Sequence, residues 1–597
     1  REIISKIIKK YNSQRIIIRS SSLDEDKTLS NAGKYKSFLN VNASYKIIEK
    51  KIDELIVNLL NPKDIIFVQE YISKISISGV IFTGTYENES PYYVINYDYS
   101  KKTDLVTSGS YNPTMKILNI YKYKKKIPKE FKNLINIVKK IELIFPKHLL
   151  DIEFAVENNK VYIFQCRSLK FLDKTKVSSY IDNELVYIRK KIKKIFLPNP
   201  SLFGSYSLLS NMADWNPAEM IGAKSTKFSS SLYKKLITDE IWAKQRVKYG
   251  YKDVRPNPLM INIGSYNYID IRTDLNSFLP KDLDNKISNK LIKFYLKKLK
   301  EKNFLHDKIE FFLIPTCFQT NLEKDLNNIL NKREISKYKK SLRILTSKII
   351  NPEYEIIKME ENLIKKLSLK TDKVIRSDLS DIQKIFLLIS NIQNYGTLPF
   401  AGFARCSFIS KKIFDNIIND NILPKATIDK FFSSISTVIY ELNNDLIKLK
   451  KNKISKIKFL KYYGHLRPST YSISNLSYKE NFDYYFDLNK IKKNSSSVKK
   501  FNFNKQDKLS INKWLIKHNL NFNCDELIKF TKKSIYLREK SKFYFSNSID
   551  KLFILIINFL KKHKISRSEI EYLDLDLILK AISQLDLKKF KQTIKEN

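Results

Sequence analysis

A short apolar run that leads directly into a long polar loop is the feature that most constrains the fold of this chain. The run is RIII at residues 15–18, and the loop RSSSLDEDKTLSNAGKYKSFLNV follows at residues 19–41. Such a run is typical of an interior strand, so the loop begins at a strand's carboxyl end. There Arg19 offers a planar fork of donors, the serines at 20–22 offer hydroxyls, and Ala-Gly at 32–33 permits close backbone approach. The segment predicts a phosphate-binding loop; a capped polar turn is the alternative.

A predicted hairpin farther along the chain carries oxygen ligands suited to a metal ion. Two segments alternate apolar and polar residues around an Asn-Asn-Lys turn, at residues 151–157, 158–160 and 161–167. Because side chains alternate between the faces of a strand, a three-residue loop places Glu153 directly opposite Gln165. A carboxylate and an amide oxygen suit Mg²⁺, and Arg167 falls on the same face. The alternative is an exposed edge hairpin with scattered polar residues.

Several segments occur in the order found in the phosphoenolpyruvate synthase and pyruvate phosphate dikinase family, and the chain resembles the ATP-binding region of that family. They are RSSSLDED with SNAGKYKSFLNV in the first loop, VQE at 68–70 with SGVIFT at 78–83, and DIEF at 151–154 with IFQCR at 163–167. A departure occurs at residues 103–109, where TDLVTSG stands in place of the Gly-Leu-Gly-Glu loop of many members. The acceptor therefore cannot be assumed to be pyruvate.

The resemblance implies roles for individual residues. The ATP-binding residues would be Arg19, Ser20, Gln69, Glu70 and Arg167. The two arginines would hold the phosphates, and Gln69 and Glu70 would line the adenine hinge. Glu153 and Gln165 would bind Mg²⁺. The implied cofactors are thus ATP and Mg²⁺.

A second group of candidate residues lies in the middle of the chain. In MADWNPAEMIG at 212–222, Asn216, Pro217 and Glu219 have the order of an N-cap, a first-turn proline and a capping-box acid. The segment has either a purely structural role or forms one side of a binding site. In the second case Trp215 packs against a substrate and Asn216 orients its polar groups.

The motif YGHLRP at 463–468 adds a further polar loop that contains His465 and Arg467. DWNPAEMIG, TDLVTSG and GHLRP together resemble a bacterial branch of the family that includes L-glutamine kinase, and the last motif is also similar to rifampin phosphotransferases. Trp215, Asn216, Glu219, His465 and Arg467 are accordingly the predicted substrate-binding residues.

Other polar residues of this region permit two interpretations. His306 and Glu310 have the i, i+4 spacing of a helix, which suits an acid/base pair but occurs more often as a surface contact. Asp270 and Arg272 place a carboxylate and a guanidinium in a strand-like setting.

The charge of the chain would ordinarily suggest a nucleic-acid partner, since the formal net charge is +47. The basic runs, such as those at 122–126 and 448–453, are dispersed and dominated by lysine, without the arginines and interleaved aromatics of a nucleic-acid surface. They indicate solvated helix faces, so no nucleic-acid partner is predicted. The overall positive charge still attracts anions such as ATP.

The cysteines and the apolar runs bear on the compartment. The four cysteines, Cys166, Cys317, Cys406 and Cys524, lie far apart without a metal-site spacing, which indicates reduced, mostly structural thiols. The longest apolar run, at 552–560, is too short to cross a bilayer. We predict a cytoplasmic protein with no membrane partner.

The predicted fold class is α/β plus mainly α. The predicted parts are an ATP-grasp nucleotide-binding domain with an incomplete N-terminal lobe at 1–171, a mainly helical substrate domain at 201–494, and a helical segment at 500–597. Family members also carry a swivelling domain whose histidine takes the β-phosphate of ATP. None of the five histidines here has its glycine-rich context, so we expect a core that lacks both ends of the family's chain.

The leading hypothesis is an ATP-dependent phosphotransferase that forms AMP and phosphate through a phosphohistidine and phosphorylates a small polar acceptor, with the amide of L-glutamine as the first candidate. Phosphoenolpyruvate synthase is the second enzymatic hypothesis. The third is a non-catalytic ATP-binding scaffold.

Overall fold

The computed structural model describes residues 2–11, 14–21, 37–57, 64–85, 90–99, 115–122, 127–171, 178–491 and 500–584. The chain divides into two compact units, Arg1–Tyr187 and Ile188–Asn597. The first is mixed α/β and the second is mainly helical, which confirms the predicted class at this level. Most of the predicted phosphate loop, the loop at 103–109 and the gap at 495–499 between the second and third predicted parts lie outside the described residues.

Among its described residues, the first unit contains antiparallel strands and three α-helices that lie wholly within it. The helices are α1 (Glu2–Tyr11), α2 (Tyr45–Ile56) and α3 (Lys132–Ile144). The strands are β1 (Arg15–Ser21), β2 (Ser37–Asn42), β3 (Ile65–Glu70), β4 (Ile77–Phe82), β5 (Tyr92–Asp98), β6 (Lys116–Tyr121), β7 (His148–Glu157) and β8 (Lys160–Phe171).

A small sheet of order β2-β1-β3 carries the start of the predicted phosphate loop. Ile16 and Ile18 of β1 are fully buried, as an interior strand requires, and they pack with Ile48 and Leu55 of α2. Ile48 and Leu55 lie on the apolar stripe of α2, and the helix ends at Ile56.

The second sheet of this unit has the order β6-β5-β4-β7-β8. One of its faces packs against α3, where Leu134 and Val138 meet Ile81 and Ile152 in a common core. Because strand side chains alternate, the neighbours of Ile152 at positions 151 and 153 point away from this core. The packing of α3 thus decides which face of β7 remains for polar residues.

The β7–β8 hairpin differs from the predicted one in a way that affects the site. The turn has two residues, Asn158 and Asn159, both with positive φ (48° and 64°), and Glu157 pairs with Lys160. Two positive φ values fit a type I′ turn, which matches the twist of antiparallel strands. The prediction of a three-residue loop is wrong.

A register shift in β8 nevertheless restores the expected pairing. Phe154 pairs with Ile163 and Glu153 pairs with Gln165, so Phe164 is an extra residue with no partner on β7. Such a bulge displaces all later pairs by one residue. Glu153 and Gln165 therefore stand opposite each other, as predicted, although the turn alone would not place them so.

The second unit contains most of the helices and one short sheet of order β10-β11-β9. Helix α4 (Ser178–Ile195) spans the boundary between the units. The elements that follow are β9 (Leu209–Ser210), α5 (Pro217–Met220), α6 (Lys227–Tyr233), α7 (Ile241–Tyr249), β10 (Met260–Ile263), β11 (Tyr266–Asp270), α8 (Ile271–Ser277), α9 (Asn285–Glu301), α10 (Glu323–Leu326), α11 (Lys332–Ile350), α12 (Ile356–Arg376), α13 (Asp381–Asn391), α14 (Leu398–Asn419), α15 (Lys425–Ser433), α16 (Val438–Lys450), α17 (Lys456–Tyr463), α18 (Phe482–Tyr485), α19 (Lys505–Lys517), α20 (Cys524–Lys562), α21 (Arg567–Ile570) and α22 (Leu575–Gln584).

The longest helix, α20, organises this unit by packing against α12, α13 and α14. Its most apolar window is long enough to cross a membrane, but 56% of that window is buried inside the protein, as in a core helix. The main core contains residues from Leu202 to Leu579. Both predicted helical segments therefore contribute to one core.

We expect Gly79→Ala to destabilise the five-stranded sheet by about 1–3 kcal/mol, as overpacking of a close-packed site does. A Cβ atom at Gly79 would lie 2.1 Å from the carbonyl oxygen of Asn96 on β5, and this backbone atom cannot move aside without breaking the pairing. Hydrogen exchange of the β4 and β5 amides measures the effect. Asn119→Ala on the exposed side of β6 is the control and should change exchange little. Unchanged β4 exchange in Gly79→Ala would contradict the packing argument.

Candidate functional site

The first candidate site forms where Arg19, near the end of β1, meets the bulge of β8. The Arg19 guanidinium donates from Nη2 to Oε1 of Gln165 (2.7 Å) and from Nη1 to the carbonyl oxygen of Phe164 (3.1 Å). Phe164 is the bulged residue, so its carbonyl lies outside the regular pairing with β7 and can accept this bond. Residues 146 positions apart in the sequence are thereby joined.

The register of the hairpin gathers four polar side chains on one face. Glu153 pairs with Gln165, and Asp151 pairs with Arg167. Directly opposed residues share a face and have Cβ atoms about 5 Å apart, and residues two apart on one strand also share it. Three of the four, Glu153, Gln165 and Arg167, are predicted site residues.

Asp151 is the fourth member, and the sequence analysis did not assign it a role. Burial, together with the nearby Glu153, raises the pKa of Asp151 to about 6, although Arg167 acts to lower it. Its Oδ1 atom is buried and has no hydrogen-bond partner among the described residues. The alternation of β7 was a sufficient signal to find it, since Asp151 lies two residues before Glu153.

The oxygen atoms on this face fit a hard cation. Glu153 offers a carboxylate, and the Gln165 oxygen retains a second lone pair beside the bond from Arg19. Mg²⁺ commonly takes one or two protein carboxylates and completes its shell with water and phosphate oxygens. Within the described ranges, no group of three or more His, Cys, Asp or Glu residues could hold a metal, and the fit therefore rests on this smaller set.

The remaining predicted nucleotide residues are distributed over both faces of the small sheet. Gln69 pairs with Ile17 and so lies on the same face as Arg19. Glu70 pairs with Ile16 on the opposite face, where it is exposed. Ser20 also points to that opposite face and is buried. The structure thus brings Gln69, but not the side chains of Ser20 and Glu70, to the face of Arg19.

In the second unit, the DWNPAE segment adopts the predicted helix start. The Asn216 Oδ1 atom accepts a hydrogen bond from the Glu219 amide (3.2 Å), with Pro217 in the first turn of α5. Trp215 and Asn216 both have positive φ, 61° and 30°, a strained conformation for such side chains. The Trp215 ring packs edge-on against Phe400 at 5.7 Å. Trp215, Asn216 and Glu219 all line a cavity of about 360 Å³.

His465 and Arg467 are absent from the described residues that line this cavity. His465 is buried, and its Nε2 atom lies 3.1 Å from the carbonyl oxygen of Phe543 on α20. Arg467 forms an ion pair with Asp550 of the same helix. Both side chains are engaged in contacts with α20, and they do not line the cavity of the other three predicted substrate-binding residues.

Asp270, Arg272 and His306 of this region make structural contacts. Asp270 is the N-cap of α8, accepting from the Thr273 amide at 3.1 Å. Arg272 donates to the carbonyl oxygens of Ile195 and Leu197, which is an architectural contact. His306 and Glu310 do not pair: the His306 ring lies 3.2 Å from the Ser210 hydroxyl.

Glu310 instead belongs to a cluster of buried charges that sequence reasoning missed. Glu310 forms an ion pair with Arg405 of α14 (2.9 Å), and Arg246 of α7 forms one with Asp214. Asp274 of α8 lies beside them and is fully buried. All of these side chains line the same cavity as Trp215. They come from separate segments and form no local motif, so only tertiary structure could reveal them.

Comparison of the sequence with protein-family models and with curated proteins found no match. The resemblance to the dikinase family, and the roles that it implies, therefore stay predictions.

We expect His465 to make the second unit less stable in acid. Burial lowers the pKa of His465 from 6.5 to about 4. Between these values the unfolded chain binds a proton that the folded chain does not, so stability present above pH 6.5 is lost as the pH falls toward 4. The loss from this residue should approach about 3 kcal/mol. Thermal melting over this pH range should show a weaker acid dependence in His465→Gln. Equal pH profiles would contradict the prediction.

Proposed function

We propose that this chain is the core of an ATP-dependent phosphotransferase of the phosphoenolpyruvate synthase type. In the proposed reaction ATP yields AMP: its γ-phosphoryl group goes to water as inorganic phosphate, and its β-phosphoryl group passes to the acceptor through a phosphohistidine on a domain outside this chain. The proposed acceptor is a small polar molecule, with the side-chain amide of L-glutamine as the first candidate. The proposed location is the cytoplasm, where the four free cysteines would remain reduced.

The observation that supports the nucleotide site is the bond of Arg19 to Gln165 and to the bulged Phe164 carbonyl. It joins the start of the predicted phosphate loop to the predicted metal-binding hairpin. Nothing in the local sequence of either segment requires them to meet. Their meeting is what a site for a metal-bound nucleotide needs, because phosphate donors and metal ligands must act on the same phosphate oxygens.

The side chains of this face would bind different parts of the metal-bound nucleotide according to their charge. The guanidinium groups of Arg19 and Arg167 offer paired donors for phosphate oxygens. Glu153 and Gln165 would hold Mg²⁺, which neutralises charge on the phosphates when bound. The bond from Arg19 to Gln165 also fixes the amide orientation, so that its oxygen faces the guanidinium. Asp151 adds negative charge, which favours a cation at this face.

We expect Glu153→Ala and Gln165→Ala each to weaken Mg²⁺-dependent ATP binding by about tenfold or more while the fold persists, because each removes one oxygen ligand from a small set. Calorimetric titration of ATP with and without Mg²⁺ measures this effect. Glu157→Ala is the matched control: it lies on the same strand and face but near the turn, bonded to the Lys74 amide. ATP affinity that is unchanged in both variants would refute the metal assignment.

Arg19→Lys should also weaken ATP binding, and more than it weakens binding of adenosine. A lysine presents one point charge and cannot reach two acceptors with the fixed fork of a guanidinium. Titration of the two ligands against both proteins gives the comparison. Arg15→Lys is the control, since Arg15 lies on the same strand but contacts the Asn40 carbonyl. An equal loss for ATP and adenosine would indicate a collapsed loop and not a lost phosphate contact.

A further inference from the structure

The cavity in the second unit combines an aromatic wall with a charged interior. Its volume of about 360 Å³ falls within the range of small-molecule sites. Trp215, Phe400 and Phe408 supply apolar surface. The charged residues come from elements that the core holds rigidly: Arg246 from α7 and Asp274 from α8 are both almost fully buried. The charged part of the cavity is therefore held by helices of the core, whereas Trp215 comes from the segment between β9 and α5.

Two ion pairs occupy part of this interior. Asp214 pairs with Arg246, and Glu310 pairs with Arg405. The two guanidinium groups also lie against one ring, that of Phe278, at 4.0 Å and 4.8 Å from its centre. Glu310 sits in a π-helical turn, Ile309–Leu313, a rare element that occurs often at functional sites. These contacts fix the positions of the charges but do not use all of their donors and acceptors.

Several buried polar atoms of the cavity have no hydrogen-bond partner among the described residues. Neither carboxylate oxygen of Asp274 is bonded, although the residue is 0% exposed. The Nε and Nη1 atoms of Arg405 and the Nε2 atom of Gln245 are likewise without a partner. Buried polar groups are almost always bonded, so acceptors and donors left open in one cavity indicate a ligand that supplies both.

The chemistry of that ligand follows from the open groups. Asp274 would be complemented by a cationic donor from a ligand, because the two nearby arginines already form ion pairs with Asp214 and Glu310. Burial raises the pKa of Asp274 well above its usual range, and the nearby Asp214 adds to the rise, so a cation would stabilise its ionised form. The open N–H groups of Arg405 would bind an anionic acceptor. The exposed Lys542 also lines the cavity and adds positive charge.

We propose that this cavity binds a small zwitterion of the α-amino acid class. Asp274 receives the ammonium group, Arg405 receives the carboxylate, and the Trp215 and Phe400 rings pack the side chain. The proposal of an amino acid site is based on these contacts alone. Its identification as the acceptor site of the phosphotransferase rests on the proposed function. Asp274 and Arg405, which were not among the predicted substrate-binding residues, thus recognise the two charges.

Ligand analogues test the two charges separately in the full chain, without nucleotide. Thermal shift with the proteinogenic L-amino acids at millimolar concentration identifies the binders, and calorimetry then compares the best one with its des-amino and decarboxylated forms. For L-glutamine these are 4-carbamoylbutanoate and 4-aminobutanamide. Each analogue should bind about 10- to 100-fold more weakly than the amino acid, since each leaves one buried charge unpaired. No binding by any amino acid, or equal binding of the analogues, would overturn the proposal.

Asp274→Asn adds a test within the protein. The variant removes the charge that pairs with the ammonium and keeps the shape, so affinity should fall about 10- to 100-fold. The melting temperature should change little, because burial raises the pKa of Asp274 and so favours its neutral form, which the asparagine amide replaces with the same shape. Asp270→Asn is the control: this residue caps the same helix, asparagine caps equally well, and affinity should not change. Unchanged affinity in Asp274→Asn would overturn the proposal, as would a lower melting temperature with affinity retained.

These outcomes separate the inference from the proposed function. Amino acid binding that persists in Glu153→Ala, in which Mg²⁺-dependent ATP binding is weakened, supports both. Amino acid binding in a chain that never binds ATP supports the cavity and contradicts the phosphotransferase. ATP binding without any amino acid binding overturns the cavity alone.

Discussion

One extra residue in β8 determines how the candidate nucleotide site is assembled. Without the bulge at Phe164, the two-residue turn at Asn158 and Asn159 would set Glu153 opposite Phe164, and Gln165 would point to the face that packs on α3. A one-residue change of register moves a side chain to the other face of a sheet. The bulge also frees the Phe164 carbonyl, which accepts from Arg19. The bulge thus accounts both for the position of Gln165 opposite Glu153 and for the hydrogen bond between β8 and Arg19 of β1.

The second unit depends on a different constraint, the burial of charge. Arg246, Asp274 and Arg405 lie deep in a helical core, where an unpaired charge is costly. Two ion pairs and the ring of Phe278 offset part of that cost, yet Asp274 has no bonded oxygen among the described residues. A core built only for stability would place apolar residues of similar volume here. The ligand proposed for this cavity would pair with these open polar groups.

The two sites differ in how far local sequence could reveal them. The alternation of residues in β7 and β8, the N-cap at Asn216 and the interior strand at Ile16 to Ile18 are all local patterns, and the structure contains each of them. Glu310 shows the opposite case. Its helical spacing from His306 suggested a pair, but a π-helical turn and the position of α14 direct it to Arg405. A pairwise spacing rule holds only where the helix is regular.

His465 and Arg467 show the same limit. The polar motif around them predicted a site, yet both side chains are engaged with α20, which begins more than fifty residues later. Sequence cannot say which distant helix will take up a polar side chain, because that choice is made by packing of the whole core.

The sequence by itself determined the mixed α/β class of the first unit, the helical class of the second, and the face of β7 that carries Asp151 and Glu153, since these follow from periodicity within single elements. Tertiary structure decided the rest. The bulge at Phe164 lies within one hairpin but is set by the pairing of the complete strands, and the meeting of Arg19 with Gln165 and the cluster around Asp274 join segments that are remote in the chain. Contacts of this kind are fixed by how complete elements pack, and no local pattern encodes them.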